Sequence, residues 1–141
     1  MPQSLEHSLA ACSARLLCRG ERRLLLLTGT ALACQQQATT LWQPGALWLG
    51  DGPVECAPQK SQHTMPWLGQ EYPLVVVNGF SGVSPEILGA VGGTVRAGGL
   101  LVLLMPPAAD WAAFPDPDYR RYVSQPEEMS RCYPHFLQRL L

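Results

Sequence analysis

The stretch VVVNGFSGVSPEILGAVGGTVRAGGLLVLLMPP, residues 75–107, decides the fold. It contains two apolar runs, VVV and LLVLLM, and consecutive β-branched valines favour a strand. Between the runs stand Ser84, Pro85 and Glu86, which suit an N-cap, the first helical position and the first turn of a helix. We therefore predict a helix that starts at Pro85 and ends at Gly98. The stretch as a whole predicts a strand–helix–strand unit.

The rest of the chain repeats this alternation of strands and helices. The predicted elements are a helix over 5–19, a strand over 24–27, a helix over 31–41, and strands over 45–49, 74–77 and 100–105. Parallel neighbours need a crossover connection, and such crossovers are right-handed. We therefore predict an α/β fold in one domain over residues 1–141. Its core is a three-layer, mostly parallel open sheet, Rossmann-like, of four to five strands with helices on both faces.

Three glycines lie inside the helix that we predict from Pro85. They are Gly89, Gly92 and Gly93, and each costs about 1 kcal/mol in a helix interior relative to alanine. A close approach of this helix to the sheet beneath it would offset that cost. The sequence therefore predicts tight helix–sheet packing at these three positions.

Composition excludes several classes of partner. The net charge is −1 and 15% of residues are charged, so the chain as a whole has no basic footprint for DNA. No apolar run reaches the ~20 residues of a membrane span, and the N-terminus lacks the pattern of a secretory signal. Five cysteines without a CxxC pair fit reduced, mostly buried thiols. We expect a soluble cytoplasmic domain without a membrane or DNA partner.

In an open parallel sheet, ligands bind at the carboxyl ends of the strands. Two segments there are candidates for ligand binding: Thr28-Gly29-Thr30 and Asn78-Gly79. The first could turn backbone N–H groups toward a phosphate at the start of the next helix. However, neither GxGxxG nor GxxxxGK[ST] occurs, so a tight structural turn explains the same residues. A self-sufficient binding module for a nucleotide or small anion therefore remains an alternative function.

The motifs of catalytic and metal sites are absent. No HExxH or Cys/His metal spacing occurs, and Gly79-Phe80-Ser81-Gly82 is one residue too short for the GxSxG nucleophile elbow. We therefore predict no catalytic residue and no metal site, and a free-standing hydrolase has no motif in its support.

The basic residues are almost all arginines, whose planar fork binds two phosphate oxygens at once. Two clusters are candidates for RNA contact, with a solvated surface as the alternative reading. These clusters are Arg15, Arg19, Arg22 and Arg23 near the N-terminus, and Arg120 with Arg121 after the last predicted strand.

The order of several motifs resembles the N-terminal domain of bacterial tRNA(Met) cytidine acetyltransferases. In that family a Leu-Gly-x-Glu-Tyr/Phe segment leads into a strand, as WLGQEY does here. A T-x-(K/R)-A-G signature, here TVRAG, then feeds a leucine-rich strand that ends in proline. The matching order continues through Trp111, Asp116, Asp118, Arg120 and PHFLQRL. The resemblance covers nearly the whole chain and the front part of a family member.

The resemblance implies acetylation of N4 of the wobble cytidine in tRNA(Met), with acetyl-CoA and ATP or GTP as cofactors of the full-length family. It implies that a helicase-like ATPase module and an acetyltransferase module follow in the same chain. This domain would be an accessory, docking part that carries no catalytic residue, with tRNA as a further partner. We expect no cofactor on the domain itself, because the Walker and acetyl-CoA motifs are absent. Relatives often carry an acid where this chain has Asn78, so no acid or metal site is expected there.

Overall fold

The computed structural model describes residues 5–60, 66–125, 127, 128 and 139. Its helices and strands are, in chain order, α1 (Leu5–Arg19), β1 (Arg23–Thr28), α2 (Ala31–Thr40), β2 (Leu47–Leu49), β3 (Tyr72–Asn78), α3 (Pro85–Gly92) and β4 (Val95–Met105). The connections contain short 3₁₀ segments at Val54–Cys56, Gly79–Ser81, Ala108–Ala113 and Pro117–Arg121. None of the helices in the described part of the chain is long and apolar enough to cross a membrane.

The four strands form one sheet in the order β1-β4-β3-β2, and every pair is parallel. Val102 of β4 stands at the centre, opposite Leu25 of β1 and Val76 of β3. Helical crossovers connect β1 to β2 and β3 to β4, as parallel neighbours require. The predicted α/β fold is confirmed, with four strands in the sheet.

Each face of the sheet has its own hydrophobic core, because side chains alternate along a strand. Val75 and Val77 of β3 point to the face that α3 covers, where they meet Ile87 and Val91. Leu74 and Val76 point to the opposite face, which α2 covers with Cys34 and Ala38 and to which α1 contributes Leu9. Burial of both faces explains why the strands are nearly continuous apolar runs.

Helix α3 is shorter than the sequence predicts. It ends at Gly92 rather than at Gly98, and β4 begins at Val95 rather than at Leu100. Two consecutive glycines weaken the helix, and the β-branched Thr94 and Val95 then favour extended backbone. The carbonyl of Thr94 accepts a hydrogen bond from the first residue of β3 at 2.8 Å, so this stretch belongs to the sheet.

The predicted tight packing at the glycines of α3 is wrong. An added Cβ would meet nothing within 4 Å at Gly89 or Gly92, and at Gly93 the nearest atom would be 3.8 Å away. The close approach lies at Gly98 instead, where φ is +77° and a Cβ would come within 2.9 Å of the Cβ of Leu17. Gly98 thus lets α1 rest directly on β4.

The other boundaries follow the prediction closely. Helix α1 has the predicted bounds, and β2 is shorter than predicted because a turn at Gly45, with φ of +80°, precedes it. The connection after β4 contains two 3₁₀ segments. The sequence also suggests an N-cap at Ser4, a short helix within 59–69 and a helix from Pro134. Ser4, residues 61–65 and all of the last stretch except residue 139 lie outside the described residues.

Candidate functional site

The carboxyl end of β3 is held together by Asn78, whose side chain is buried. Its Nδ2 donates a hydrogen bond to the carbonyl of Asp51 at 2.6 Å, and its Oδ1 accepts one from the N–H of Phe80 at 3.0 Å. The N–H of Asp51 donates to Oγ of Ser81 at 2.8 Å. The amide of Asn78 therefore binds the chain itself and joins the loops that follow β2 and β3. A carboxylate at this position could not donate the first of these bonds.

Gly79, the second residue of this candidate segment, lies against the end of β4. A Cβ added there would overlap Sδ of Met105 and would come within 2.5 Å of the carbonyl oxygen of Leu104. Only glycine therefore fits at this position, and no space for a ligand remains between Gly79 and β4.

The connection after β4 folds back over the same loop. Trp111 is buried and its Nε1 donates to the carbonyl of Pro106 at 2.6 Å. The rings of Phe114 and Phe80 then meet edge to face, with centroids 6.0 Å apart and planes at 87°. The chain after β4 thus covers the Asn78-Gly79 segment.

Asp116 ends this covering segment and is 1% exposed. Its Oδ1 accepts a hydrogen bond from the N–H of Asp118 at 2.9 Å, whereas its Oδ2 has no hydrogen-bond partner in the described structure. Burial raises the pKa of Asp116 to about 6, and the Asp118 carboxylate adds to the rise. The N–H groups of Asp118 and Val83 oppose it. Among the described acidic residues, Asp116 is the one whose side chain is buried.

The Thr28-Gly29-Thr30 segment lies on the other side of β4. Oγ1 of Thr30 accepts from the N–H of Ala33 at 3.2 Å and so caps α2. The N–H of Gly29 donates to the carbonyl of Met105 at 3.2 Å. Thr28 and Thr30 are exposed, so this segment, unlike Asn78-Gly79, remains open to solvent.

The two candidate segments share one end of the sheet. Thr28 is opposite Met105, and Asn78 is opposite the preceding residue, Leu104. Two strand spacings separate them, roughly 10 Å. Among the described residues there is no group of three or more His, Cys, Asp or Glu side chains that could hold a metal ion.

Two buried thiols, Cys34 and Cys56, lie under α2 and beside β2. Burial raises the pKa of both, and the charge of Glu55 raises that of Cys56 further. A raised thiol pKa disfavours the thiolate, which is the nucleophilic form. Burial and the raised pKa therefore favour a structural role for both cysteines.

The amino end of the sheet carries exposed arginines. Nη1 of Arg22 donates to the carbonyls of Gly92 at 3.1 Å and Val95 at 3.0 Å, so it ties the turn before β1 to the turn before β4. Arg23 opens β1 and is exposed. Arg96 is exposed beside Val95, and sequence reasoning missed it because only the pairing of β1 with β4 brings it to this cluster.

Arg15 and Arg19 lie one turn apart in the last part of α1, which ends just before β1, and both are exposed. With the three arginines above they form a set that we call the amino-end arginines: Arg15, Arg19, Arg22, Arg23 and Arg96. Glu21 and Glu71 are exposed at the same end, so arginines outnumber acids there. Within the described part of the chain, no ion pair involves any of the five.

In the second predicted cluster, Arg120 with Arg121, the charge of Arg121 is partly neutralised by carboxylates. Nη2 of Arg121 lies 3.3 Å from Oδ2 of Asp118 and 4.0 Å from Oε2 of Glu86, and its guanidinium lies 4.8 Å from the ring centroid of Tyr122. These contacts involve neighbours at the carboxyl end of the sheet. Arg120 is exposed. The two predicted clusters therefore occupy opposite ends of the sheet.

A pocket of about 370 Å³ lies along the outer side of β2, and we call it the β2-edge pocket. It is lined by Trp42, Ala46, Leu47, Trp48, Cys56, Ala57, Gln59, Pro66, Trp67, Gln70 and Tyr72. Sequence reasoning missed it, because its aromatic residues come from four separate segments. Nε1 of Trp67 is buried there and has no hydrogen-bond partner in the described structure. A buried donor left unpaired costs about 1–3 kcal/mol.

Comparison with known proteins assigns the chain to a family. The family model described as "tRNA(Met) cytidine acetyltransferase TmcA, N-terminal" matches residues 1–141. The chain is 35% identical over 128 residues to the tRNA(Met) cytidine acetyltransferase TmcA of Nitrosococcus halophilus, which covers 86% of this chain and 17% of that protein. It is 36% identical over 139 residues to the enzyme of Citrobacter koseri, which covers 94% of this chain and 20% of that protein.

The chain thus spans about a fifth of the length of the curated relatives that it matches. The match to the family model, in contrast, covers the whole length of this chain. The chain therefore belongs to the family of the N-terminal part of tRNA(Met) cytidine acetyltransferases.

Proposed function

We propose that this chain is the accessory N-terminal domain of a tRNA(Met) cytidine acetyltransferase, that it carries no catalytic residue, and that it contacts tRNA through the amino-end arginines. The contrast between the two ends of its sheet carries the proposal. At the carboxyl end, Asn78 and Gly79 are bound by the chain itself. At the amino end, exposed arginines stand free of ion pairs within the described residues.

The contacts at the carboxyl end favour an accessory role over a catalytic one. General acid–base chemistry needs a group that can reach a substrate, and the described acid with the strongly raised pKa, Asp116, is buried behind the chain after β4. The buried thiols are held in their unreactive form. In this proposal, acetyl-CoA and ATP or GTP bind to other modules of the same chain, the acetyltransferase and helicase-like modules, for which this domain is a docking partner.

The charges at the amino end favour contact with tRNA. Arginine binds phosphate oxygens in pairs, and phosphate contacts do not need sequence-specific geometry. Arg121, in contrast, already lies beside the carboxylates of Asp118 and Glu86, whose negative charges would oppose a phosphate there. We propose the amino-end arginines as the tRNA contact and expect the complex to function in the cytoplasm, where tRNA is modified.

The alternative function, a nucleotide- or anion-binding module, rests on the exposed Thr28-Gly29-Thr30 segment at the start of α2. A ligand that binds the folded chain raises its stability by about 2.7 kcal/mol at a hundred times the dissociation constant. Melting the chain with ATP, GTP and acetyl-CoA in turn tests this function. An unchanged melting temperature with all three supports the accessory role, and a clear rise with one of them supports the alternative.

The proposed tRNA contact is tested by binding of tRNA(Met) to the chain at low and high salt. Phosphate contacts release counterions, so affinity should fall steeply as salt rises. Absence of binding at low salt, or affinity that is insensitive to salt, contradicts the proposal.

A further inference from the structure

The β2-edge pocket and the amino-end arginines are linked through one residue pair of the sheet. Tyr72, which lines the pocket, is paired with Val95 of β4. The carbonyl of Val95 accepts the hydrogen bond from Arg22, and Arg96 follows it in the chain. A ligand that runs along the arginines would therefore reach the mouth of the pocket within about two strand spacings, roughly 10 Å.

The pocket has the chemistry of a site for a flat, uncharged ring. None of its lining residues within the described structure is charged, and four are aromatic: Trp42, Trp48, Trp67 and Tyr72. Trp42 and Tyr72 are partly exposed, so their rings are accessible for stacking, whereas Trp48 and Trp67 form the buried wall. The volume of about 370 Å³ lies in the usual range for ligand pockets, ≈300–1,000 Å³.

Polar groups that could form hydrogen bonds with the edge of such a ring also line the pocket. Gln59 and Gln70 are exposed, and a carboxamide both donates and accepts hydrogen bonds. Nε2 of Gln59 already donates to the carbonyl of Ala57 at 3.0 Å, which leaves its second N–H and its oxygen for a ligand. The indole N–H of Trp67 lacks an acceptor in the described structure, and an entering carbonyl oxygen or ring nitrogen would supply one after a small shift of the wall. Aromatic walls with a few edge-reading polar groups are the usual way in which proteins bind unpaired bases.

We propose that the β2-edge pocket accepts one unpaired nucleobase of the RNA whose phosphates contact the amino-end arginines. This inference rests on the proposed tRNA contact. The base stacks on Trp42 at the edge of β2, and its sugar–phosphate chain passes Tyr72 and crosses β3 and β4 toward Arg96 and Arg22. Aromatic grooves also bind proline-rich peptides, and that occupant is an outcome of the test below.

The experiment compares two ligands on the unaltered chain. The first is an unstructured RNA of about 12 nucleotides, and the second is a ribose–phosphate chain of the same length without bases. Anisotropy gives the affinities, and intrinsic tryptophan fluorescence reports base stacking. We expect quenching and tighter binding with the base-bearing RNA, and salt-sensitive binding without quenching with the abasic chain.

Variants of Trp42 localise the effect. Trp42→Leu should lower affinity for the base-bearing RNA by about 5- to 150-fold and leave affinity for the abasic chain unchanged. Trp42→Phe, which keeps a ring, should retain much of the affinity. Tyr122→Leu is the matched control, because Tyr122 is an aromatic residue, 65% exposed, at the other end of the sheet. Circular dichroism establishes that each variant is folded, and the two-ligand comparison needs no variant at all.

The outcomes separate the two proposals. Equal binding of both ligands without quenching overturns the pocket site and leaves the arginine contact standing. Failure of both ligands to bind overturns the arginine contact, and the pocket site falls with it. Quenching by a proline-rich peptide but not by the base-bearing RNA overturns the nucleobase site in favour of a peptide groove.

Discussion

The two ends of the sheet differ in how their polar groups are used. At the carboxyl end, Asn78 and Asp116 are buried and bind the chain itself, and Gly79 packs directly on Met105. At the amino end, Arg23 and its neighbours are exposed. The general rule for open parallel sheets places ligands at the carboxyl end. In this chain the Asn78-Gly79 part of the carboxyl end is occupied by the chain's own contacts, whereas the amino end carries exposed arginines that make no ion pair among the described residues.

The largest effect that we expect comes from Gly79→Ala, which tests the close packing at the carboxyl end. The added Cβ would overlap Sδ of Met105 and crowd the carbonyl of Leu104, which is backbone and cannot move freely. Overpacking typically costs about 1–3 kcal/mol of the free energy of unfolding, and the backbone contact puts Gly79→Ala at the upper end of that range. Urea denaturation measures it.

Gly89→Ala is the matched control for that substitution. Gly89 lies inside α3 with nothing within 4 Å of an added Cβ, so alanine should raise stability by up to about 1 kcal/mol. Equal stability changes in the two variants would contradict the packing described at Gly79.

The next effect concerns the pH dependence of stability and the carboxyl of Asp116. Its pKa is about 6 in the folded chain against an ordinary value of 3.8, so the folded chain binds more protons between these pH values. The contribution of this carboxyl to stability should therefore be largest below pH 4, fall as pH rises to about 6, and stay level above it. The total fall should be roughly 2–3 kcal/mol.

Asp116→Asn tests the assignment of this pH dependence. Its carbonyl oxygen can still accept from the N–H of Asp118, but its side chain does not titrate. The fall in stability between pH 4 and 6 should disappear in thermal melts of this variant. Asp110→Asn, at an exposed acid in the same segment, should keep it. If Asp116→Asn keeps the same pH dependence as the unaltered chain, Asp116 is not the buried acid described here.

A smaller effect should follow from Arg22→Ala, which probes the amino end. The substitution removes two hydrogen bonds to the carbonyls of Gly92 and Val95, at an exposed site, and should cost about 1 kcal/mol of stability. Arg23→Ala should cost under about 0.5 kcal/mol, because no described hydrogen bond or ion pair involves its side chain. Chemical denaturation of the pair compares them. A larger loss of stability in Arg23→Ala than in Arg22→Ala would show that Arg22 does not hold the turn before β4 as described.

Local sequence patterns predicted most of the fold. Ser84 and Pro85 correctly start α3, and the apolar runs correctly give four parallel strands. The predicted end of α3 was wrong because Thr94 and Val95 extend β4 by pairing with β3, which is a tertiary contact. The prediction that the glycines of α3 allow close approach to the sheet was also wrong. Close approach depends on which element packs against a glycine, and that is a tertiary contact too.

The candidate site was only partly visible in the sequence. The residues at the strand ends could be named from the alternation of strands and helices, but the covering by Phe114 and Asp116 depends on the path of the chain after β4. Arg96 joins the amino-end cluster through the sheet register, and Trp42 and Tyr72 come to line one pocket from segments before and after β2 in the chain. Contacts between distant segments leave no local pattern.

The salt dependence of tRNA(Met) binding tests the central claim most directly. One variant replaces Arg15, Arg19, Arg23 and Arg96 by glutamine, and the other replaces Arg120 and Arg121. Each lost phosphate contact lowers the slope of log affinity against log salt by ~0.7–0.9. We predict that the first variant lowers the slope by about 3 and that the second leaves it nearly unchanged. Loss of the slope in the second variant, with the first unaffected, would contradict the account.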